Sequence, residues 1–205
     1  MLLVKILLLV ASYPFISLFS GNILDLLLIS LKVNVRHLRN LKNMIYMNRA
    51  YLLIGGNMGN PLLQMHRATQ LIAERCGTLL LMSRAYQSSA WGPISQPNFF
   101  NRALLLQTRL SPDALLAQIL QIESDMGRIR KEKFGPRLID IDILLMDNVI
   151  IEKPDLQIPH PLLSERRFAL TPLCEIAPFL WHPVYKLTIE NLLNACTDKG
   201  NVQKK

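Results

Sequence analysis

Residues 137 to 145 read Arg-Leu-Ile-Asp-Ile-Asp-Ile-Leu-Leu, a β-branched apolar strand broken by two acids, Asp140 and Asp142. Residues i and i+2 of a strand share a face, so the two carboxylates project side by side. Neighbouring carboxylates repel, and a partly buried pair is costly unless a positive charge sits between them. Magnesium suits such a pair, because it takes one or two carboxylates and completes its octahedron with water and phosphate oxygens. The preceding run, Gly127-Arg128-Ile129-Arg130-Lys131-Glu132-Lys133-Phe134-Gly135-Pro136-Arg137, supplies cations for those phosphates. Paired acids beside a basic loop point to phosphoryl or nucleotidyl transfer. The same pair also fits a solvated strand face, since Ile139, Ile141, Ile143 and Leu145 are expected to fill the opposite face.

The chain has 205 residues, enough for one domain with a sizeable core. Its net charge of +8 divides evenly, +4 on residues 1–47 and +4 on residues 48–205. The longer part is therefore only mildly basic, with cations grouped at 128–137 and 166–167. That grouping favours a compact anionic ligand over a nucleic-acid track. Cys76, Cys174 and Cys196 have neither metal-ligand spacing nor a plausible disulfide framework, so a reducing cytoplasm is expected.

Residues 1–47 read differently. Lys5 precedes Ile6–Ala11, and a second apolar run covers Ile23–Leu31. A signal peptide or a membrane anchor is one reading. Pro14, Gly21, Asn22 and Asp25 interrupt the stretch, however, and no cleavage site stands out. The favoured reading is a start at Met44 or Met47, with a domain over 48–205 and membrane contact only if the leader is real.

Beyond residue 48 the periodicity predicts a strand at 50–54, a helix from Leu62 to Cys76, and a strand at 78–88. A loop covers 89–98 and a strand 99–108. Ser111-Pro112 opens a helix that Gly127 ends, and the Asp strand follows. The order β, α, β, β, α, β predicts an α+β, ferredoxin-like βαββαβ sandwich with helices on one face of an antiparallel sheet. Residues 147–205 add a turn, a Pro-rich connection and one or two helices.

Several ordered segments resemble the 6-hydroxymethyl-7,8-dihydropterin pyrophosphokinase family, over residues 49 to about 185. They are Tyr51-Leu-Leu-Ile-Gly-Gly-Asn57-Met-Gly, Gly92-Pro93 with Gln96-Pro-Asn-Phe-Phe-Asn101, and Glu123 with Gly127-Arg128-Ile-Arg130. Gly135-Pro-Arg-Leu-Ile-Asp140-Ile-Asp142 and Ile158-Pro-His-Pro161 with Arg166-Arg167-Phe168 complete the set. The resemblance implies transfer of diphosphate from ATP to the pterin hydroxymethyl group, with AMP released, in folate synthesis. It implies two Mg2+ ions on Asp140 and Asp142, with ATP as co-substrate. Arg128 and Arg130 are implied as catalytic residues on a closing loop, and Glu123, Lys131, Arg137, His160 and Arg166 as further nucleotide contacts. Phe99 and Phe168 would sandwich the pterin, while Asn101, Ser88, Ala90 and Trp91 read its edge. Small-molecule substrates, no nucleic acid and a monomer follow from the same resemblance.

Phe134 stands where the family often has tryptophan, and Asp155 where some members have a basic contact, which puts adenosine contacts there in doubt. Two rivals remain open. A ferredoxin-like RNA-binding module needs exposed aromatics on central strands, but adjacent Phe99 and Phe100 face opposite sides. A two-metal nucleotidyl transferase also uses paired aspartates, yet leaves Gln96–Asn101 unexplained.

Overall fold

The computed structural model describes residues 47–91, 95–128 and 135–205. Strand β1 (Asn48–Gly56) is the centre of the fold. Its run Ala50–Ile54 is apolar on both alternations, as a strand covered on both faces must be. Ala50, Leu52 and Ile54 enter one hydrophobic cluster, and Tyr51 and Leu53 enter another on the opposite face.

Helix α1 (Pro61–Arg75) follows a turn. The Asn60 side chain accepts a hydrogen bond from the Leu63 N–H, and Pro61 occupies the first turn, where no N–H is needed. Strands β2 (Thr78–Met82) and β3 (Tyr86–Ser88) come next, then β4 (Phe99–Thr108). The expected single strand over 78–88 is thus two strands. Ser83 breaks it: its backbone N–H donates to Ala103 O, while its hydroxyl accepts from the Ala103 N–H at 2.9 Å and donates to Arg84 O. Helix α2 (Pro112–Asp125) is capped by Ser111, whose hydroxyl accepts from the Ala114 N–H. Replacing such a cap by alanine costs about 1 kcal/mol.

Strand β5 (Asp140–Met146) antiparallels β1, and β1 antiparallels β4. The sheet order is β5-β1-β4-β3, continued by β8 (Val202–Lys204), with β2 also paired to β4. A short ribbon, β6 (Ile151–Glu152) with β7 (Gln157–Ile158), leads to a 3-10 turn, Leu163–Glu165. Helices α3 (Arg167–Ile176) and α4 (Ile189–Ala195) close the chain before β8.

The helices do not all lie on one face. Met65 and Ile72 of α1 and Leu115, Ile119 and Ile122 of α2 pack in the cluster with Leu52 and Ile54. Leu170 and Leu173 of α3 and Ile189 and Leu192 of α4 pack in the cluster with Tyr51 and Leu53. The sheet is therefore a middle layer, because its central strands are apolar on both sides. Truncating a fully buried leucine of this layer, such as Leu52 or Leu104, would cost about 2–5 kcal/mol.

A register shift beside Tyr51/Leu52 changes the alternation of β5. Ile139, Ile141 and Ile143 fill the α1/α2 side as expected, but Leu145 joins Leu144 on the α3/α4 side. Among the described residues no helix is long and apolar enough to cross a membrane.

Candidate active site

The register lays out the floor of the site. Gly55 pairs with Asn101 on one side and Asp140 on the other. Leu53 likewise lies between Ala103 and Asp142. Paired strands are about 4.8 Å apart, so an amide and two carboxylates share one face across three strands. The central position has to be glycine, because a Cβ on Gly55 would lie 2.2 Å from Asn101 Oδ1.

A cavity of about 580 Å³ opens on this face. Its wall contains Ser88, Trp91, Phe99, Asn101, Glu123, Arg128, Arg137, Asp140, Asp142, His160, Arg166 and Phe168. Twelve sequence-predicted residues thus meet at one place. Ala90 is not part of that wall, whereas Ser89 is. Arg130 and Lys131 lie outside the described residues, as do Gly92, Pro93 and Phe134.

Arg128 reaches the cavity through the end of α2. The Gly127 N–H donates to Ser124 O and the Arg128 N–H to Glu123 O, the two bonds of a Schellman turn. The Arg128 guanidinium then pairs with Glu123 and lies 2.6 Å from Asp140 Oδ1. Burial works against that guanidinium's charge, but Asp140 and Glu123 outweigh it and hold its pKa above the usual value. Glu123 is only 3% exposed and also accepts from the Ile141 N–H at 2.8 Å. Burial lifts its carboxyl pKa, and Arg128 opposes the rise. Glu123 is thus not a solvated surface acid. Arg137 holds the other oxygen of Asp140.

Asp142 is the contrasting acid. Among the described residues no ion pair reaches it. Burial, and then the charge of Asp140, raise its pKa to about 7, against the pull of Arg166. Two adjacent carboxylates, one without a cation, form a donor set that fits a hard divalent ion. No cluster of three or more His, Cys, Asp or Glu able to hold a metal occurs among the described residues. The pair alone is compatible with an ion such as magnesium that takes few protein ligands.

His160 follows β7 between Pro159 and Pro161, and its N–H donates to Leu144 O. Its Nδ1 lies 3.2 Å from the Leu162 N–H, and Arg166 Nη1 stands 3.4 Å from its Nε2. Burial, helped by Arg166, lowers the pKa to about 4 and keeps the ring neutral. The backbone thus holds one ring nitrogen, while the other faces Arg166 on the cavity side.

The other wall is flat. Asn101 is buried, and its Nδ2 points to Ser88 Oγ at 3.4 Å. The Arg166 guanidinium stands 4.9 Å from the Trp91 ring centre and 5.7 Å from that of Phe168. Arg137 stands 5.9 Å from that of Phe99. The guanidinium groups thus lie over aromatic rings that line the cavity, and Phe168 also packs against the cluster of Leu170 and Leu173. Arg167, the neighbour of Arg166, turns away and binds Asp198 and the Cys196 carbonyl. Asp155 is exposed and stays outside the cavity.

Sequence reasoning missed Leu116, Leu120 and Ile141, which line the cavity near Glu123. The i, i+4 spacing of Leu116 and Leu120, with Glu123 three residues further, puts all three on one stripe of α2 and was a usable signal.

Carboxylates and guanidinium groups beside stacking faces define a class of enzyme that joins a polyphosphate to a flat ring. Residues 51–178 match the family model described as 7,8-dihydro-6-hydroxymethylpterin-pyrophosphokinase. The chain belongs to this family. It is 39% identical over 140 residues to the 2-amino-4-hydroxy-6-hydroxymethyldihydropteridine pyrophosphokinase of Aquifex aeolicus, covering 68% of this chain and 87% of that one. The Haemophilus influenzae protein of the same name is 38% identical over 142 residues, covering 69% and 89%. The Folic acid synthesis protein FOL1 of Dictyostelium discoideum is 38% identical over 155 residues, 76% of this chain but only 23% of that protein. Among solved structures, wild-type Plasmodium falciparum HPPK-DHPS superposes with a TM-score of 0.59 at 18% identity, over 73% of this chain and 43% of that one. That likeness shows the fold.

Proposed function

We propose that this chain transfers the diphosphate of ATP to 6-hydroxymethyl-7,8-dihydropterin, giving AMP and the pterin diphosphate, a step of folate synthesis. The observation that carries the reading is the shared cavity: the paired acids, the guanidinium groups and the aromatic faces line one space, of a size that suits small ligands.

Phe99 and Phe168 hold the pterin ring by its faces, with stacking worth about 0.5–1.5 kcal/mol beyond burial. Asn101, with a donor and an acceptor, reads its edge, and Ser88 and the Trp91 backbone complete the reading. Arg128, Arg137 and Arg166 bind phosphate oxygens, whose geometry matches a guanidinium fork. Arg130 and Lys131 join them from the same loop. His160 donates Nε2–H to a phosphate oxygen. Glu123 keeps Arg128 aimed into the cleft. Asp140 and Asp142 hold magnesium, two ions in our reading. When bound, the metal neutralises the triphosphate. The residues themselves orient the pterin hydroxyl toward the β-phosphorus and stabilise the charge that spreads as AMP leaves.

We read the fold as a ferredoxin-like βαββαβ core with C-terminal additions, α3, α4 and β8. The strand order supports this. The domain is taken as residues 48–205, after a leader over 1–47. Residues 47–205 cluster as one unit. A cytoplasmic monomer acting on small molecules is consistent with the free Cys76, Cys174 and Cys196.

The deciding assay mixes the chain with ATP, magnesium and hydroxymethyldihydropterin. AMP and a diphosphorylated pterin are expected. Free pyrophosphate with a nucleotidyl adduct would replace this reading by the nucleotidyl transferase.

A further inference from the structure

Asn57 ends the Gly55-Gly56-Asn57 turn and is 7% exposed. Its Nδ2 donates to Gln96 Oε1 and to the Pro97 carbonyl, both at 3.1 Å. Its Oδ1 accepts from the Arg137 N–H at 2.9 Å, and its own N–H donates to Arg137 O at 3.0 Å. One small amide thus binds two segments far apart in sequence. Gln96 and Pro97 lead into Phe99 and Asn101, the ring-binding wall. Arg137 leads into Asp140 and Asp142, the phosphate-binding wall. The neighbouring Gly56 allows this close approach, since a Cβ there would lie 2.5 Å from Leu138 O.

We propose that Asn57 is a positioning residue that fixes the distance and angle between the two substrate walls. The inference rests on the function proposed above, because it assigns each wall a substrate. The physical reason is the cost of misplacement. Transfer between two bound substrates needs the attacking oxygen and phosphorus in near-attack geometry, and a shift of about 1 Å loses about a hundredfold in rate. Neither segment is covalently tied to the other, and both are irregular backbone next to a strand start. A buried amide using both its donors and its acceptor sets their separation with little freedom. Asn57 touches neither reacting group; it acts through Arg137 and through the 96–101 segment.

The test separates this role from plain stability. Asn57→Asp keeps the acceptor for the Arg137 N–H but loses both donors, and its new oxygen repels Gln96 Oε1 and the Pro97 carbonyl. It should raise KM for hydroxymethyldihydropterin about tenfold while leaving KM for ATP within twofold. Asn57→Ala frees both segments and should lower kcat about a hundredfold at saturating substrates. Thr108→Val is the control: Thr108 is fully buried, binds the Cys76 carbonyl and the Leu110 N–H, and lies at the far end of β4. It should lower the melting temperature and leave kcat and both KM values unchanged. Hydrogen exchange adds a readout without substrate: Asn57→Asp should speed exchange at 98–100 but not at Arg137, and Asn57→Ala at both. If Asn57→Ala does not fold, Asn57→Asp alone decides. The proposal is overturned if folded Asn57 variants keep kcat and KM within twofold, if Thr108→Val reproduces their kinetic loss, or if exchange quickens equally everywhere. A wild-type chain that makes no AMP would instead overturn the proposed reaction, and the exchange pattern would still decide whether Asn57 joins the walls.

Discussion

The wall that carries Ser88, Phe99 and Asn101 is neutral, whereas the wall that carries Arg128, Arg137 and Asp140 is a set of charges that satisfy one another. On the first, position comes from strand register and shape: Asn101 is placed by β4, by Ser88 and by the missing Cβ of Gly55. On the second, position comes from ion pairs: Arg128 joins Glu123 to Asp140, and Arg137 takes the remaining oxygen of Asp140. The difference teaches what each can do on binding. The neutral wall has no ion pair of its own to break, although the guanidinium groups over Phe99 and Phe168 must move aside for a stacked ring. In the proposed reaction the charged wall exchanges internal partners for phosphate and cation, so its energetics would depend on protons and metal while the other wall's would not.

The strongest attempt to break the contrast is Asp140→Asn and Asp142→Asn. Each keeps the shape and removes one negative charge, and turnover should fall about a hundredfold or more. The stability effect should differ in sign between ordinary expectation and this site. Folded Asp142 holds its proton up to about pH 7, against 3.8 for the unconstrained side chain. The folded state binds the proton more tightly, so the stabilisation is complete below the unfolded value and is lost as pH rises through the folded one. Without substrates, the wild-type melting temperature should therefore climb on acidification from about pH 8 to about pH 5, and Asp142→Asn should flatten that climb and melt a few degrees higher at the alkaline end. Near-normal turnover in both variants, or a melting temperature of Asp142→Asn that falls at pH 8, would remove the acids from the charged wall's role.

Arg128→Ala sharpens the comparison next. The loop role alone predicts a fall in kcat larger than any loss of ATP binding, about tenfold or more. The structure adds a second effect, because removing Arg128 takes away a guanidinium that pairs with buried Glu123 beside Asp140. Some loss of stability should accompany the loss of rate, and Glu123→Gln in the same chain should recover the stability but not the rate. An Arg128→Ala chain that binds ATP far more weakly yet turns over normally at saturation would make Arg128 a docking group only.

Phe168→Ala is the matching change on the flat wall and should act on a single substrate. Loss of one stacking face should raise KM for hydroxymethyldihydropterin several-fold. Neither KM for ATP nor the pH dependence of melting should move. A rise confined to KM for ATP would assign Phe168 to the wrong ligand.

Periodicity legible in the sequence placed β1, α1, β4, α2 and β5 within a few residues, because these elements bury strong apolar stripes and carry proline-marked caps. It placed the acids on one face for the same reason. Leu145 went to the other face because a register shift is a matter of pairing between strands, invisible in one strand's own pattern. The break at Ser83 depends on a hydroxyl meeting Ala103 across the sheet. The charged wall was readable as composition, but its pairings were not: Glu123 looked like a surface residue until the packing of β5 against α2 buried it. Asn57 stood in plain view as turn chemistry, and only the two segments it binds, 39 and 80 residues away, give it another meaning.

The smallest effect expected is none, from removing the leader. Every sequence-predicted residue that lines the cavity lies between Ser88 and Phe168, and the strand that carries Leu53 and Gly55 starts at Asn48. Both faces of the sheet are already covered within 47–205, one by α1 and α2 and the other by α3 and α4. A chain beginning at Met47 should therefore match the full chain in kcat, in both KM values and in melting temperature, while the full chain should express poorly or partition into membranes through the apolar runs Ile6–Ala11 and Ile23–Leu31. The two walls serve as separate gauges in this experiment. A shortened chain that keeps KM for the pterin but loses KM for ATP, or the reverse, would show that the leader supports one wall. A shortened chain that fails to fold would make the leader part of the domain and end the case for a start at Met44 or Met47.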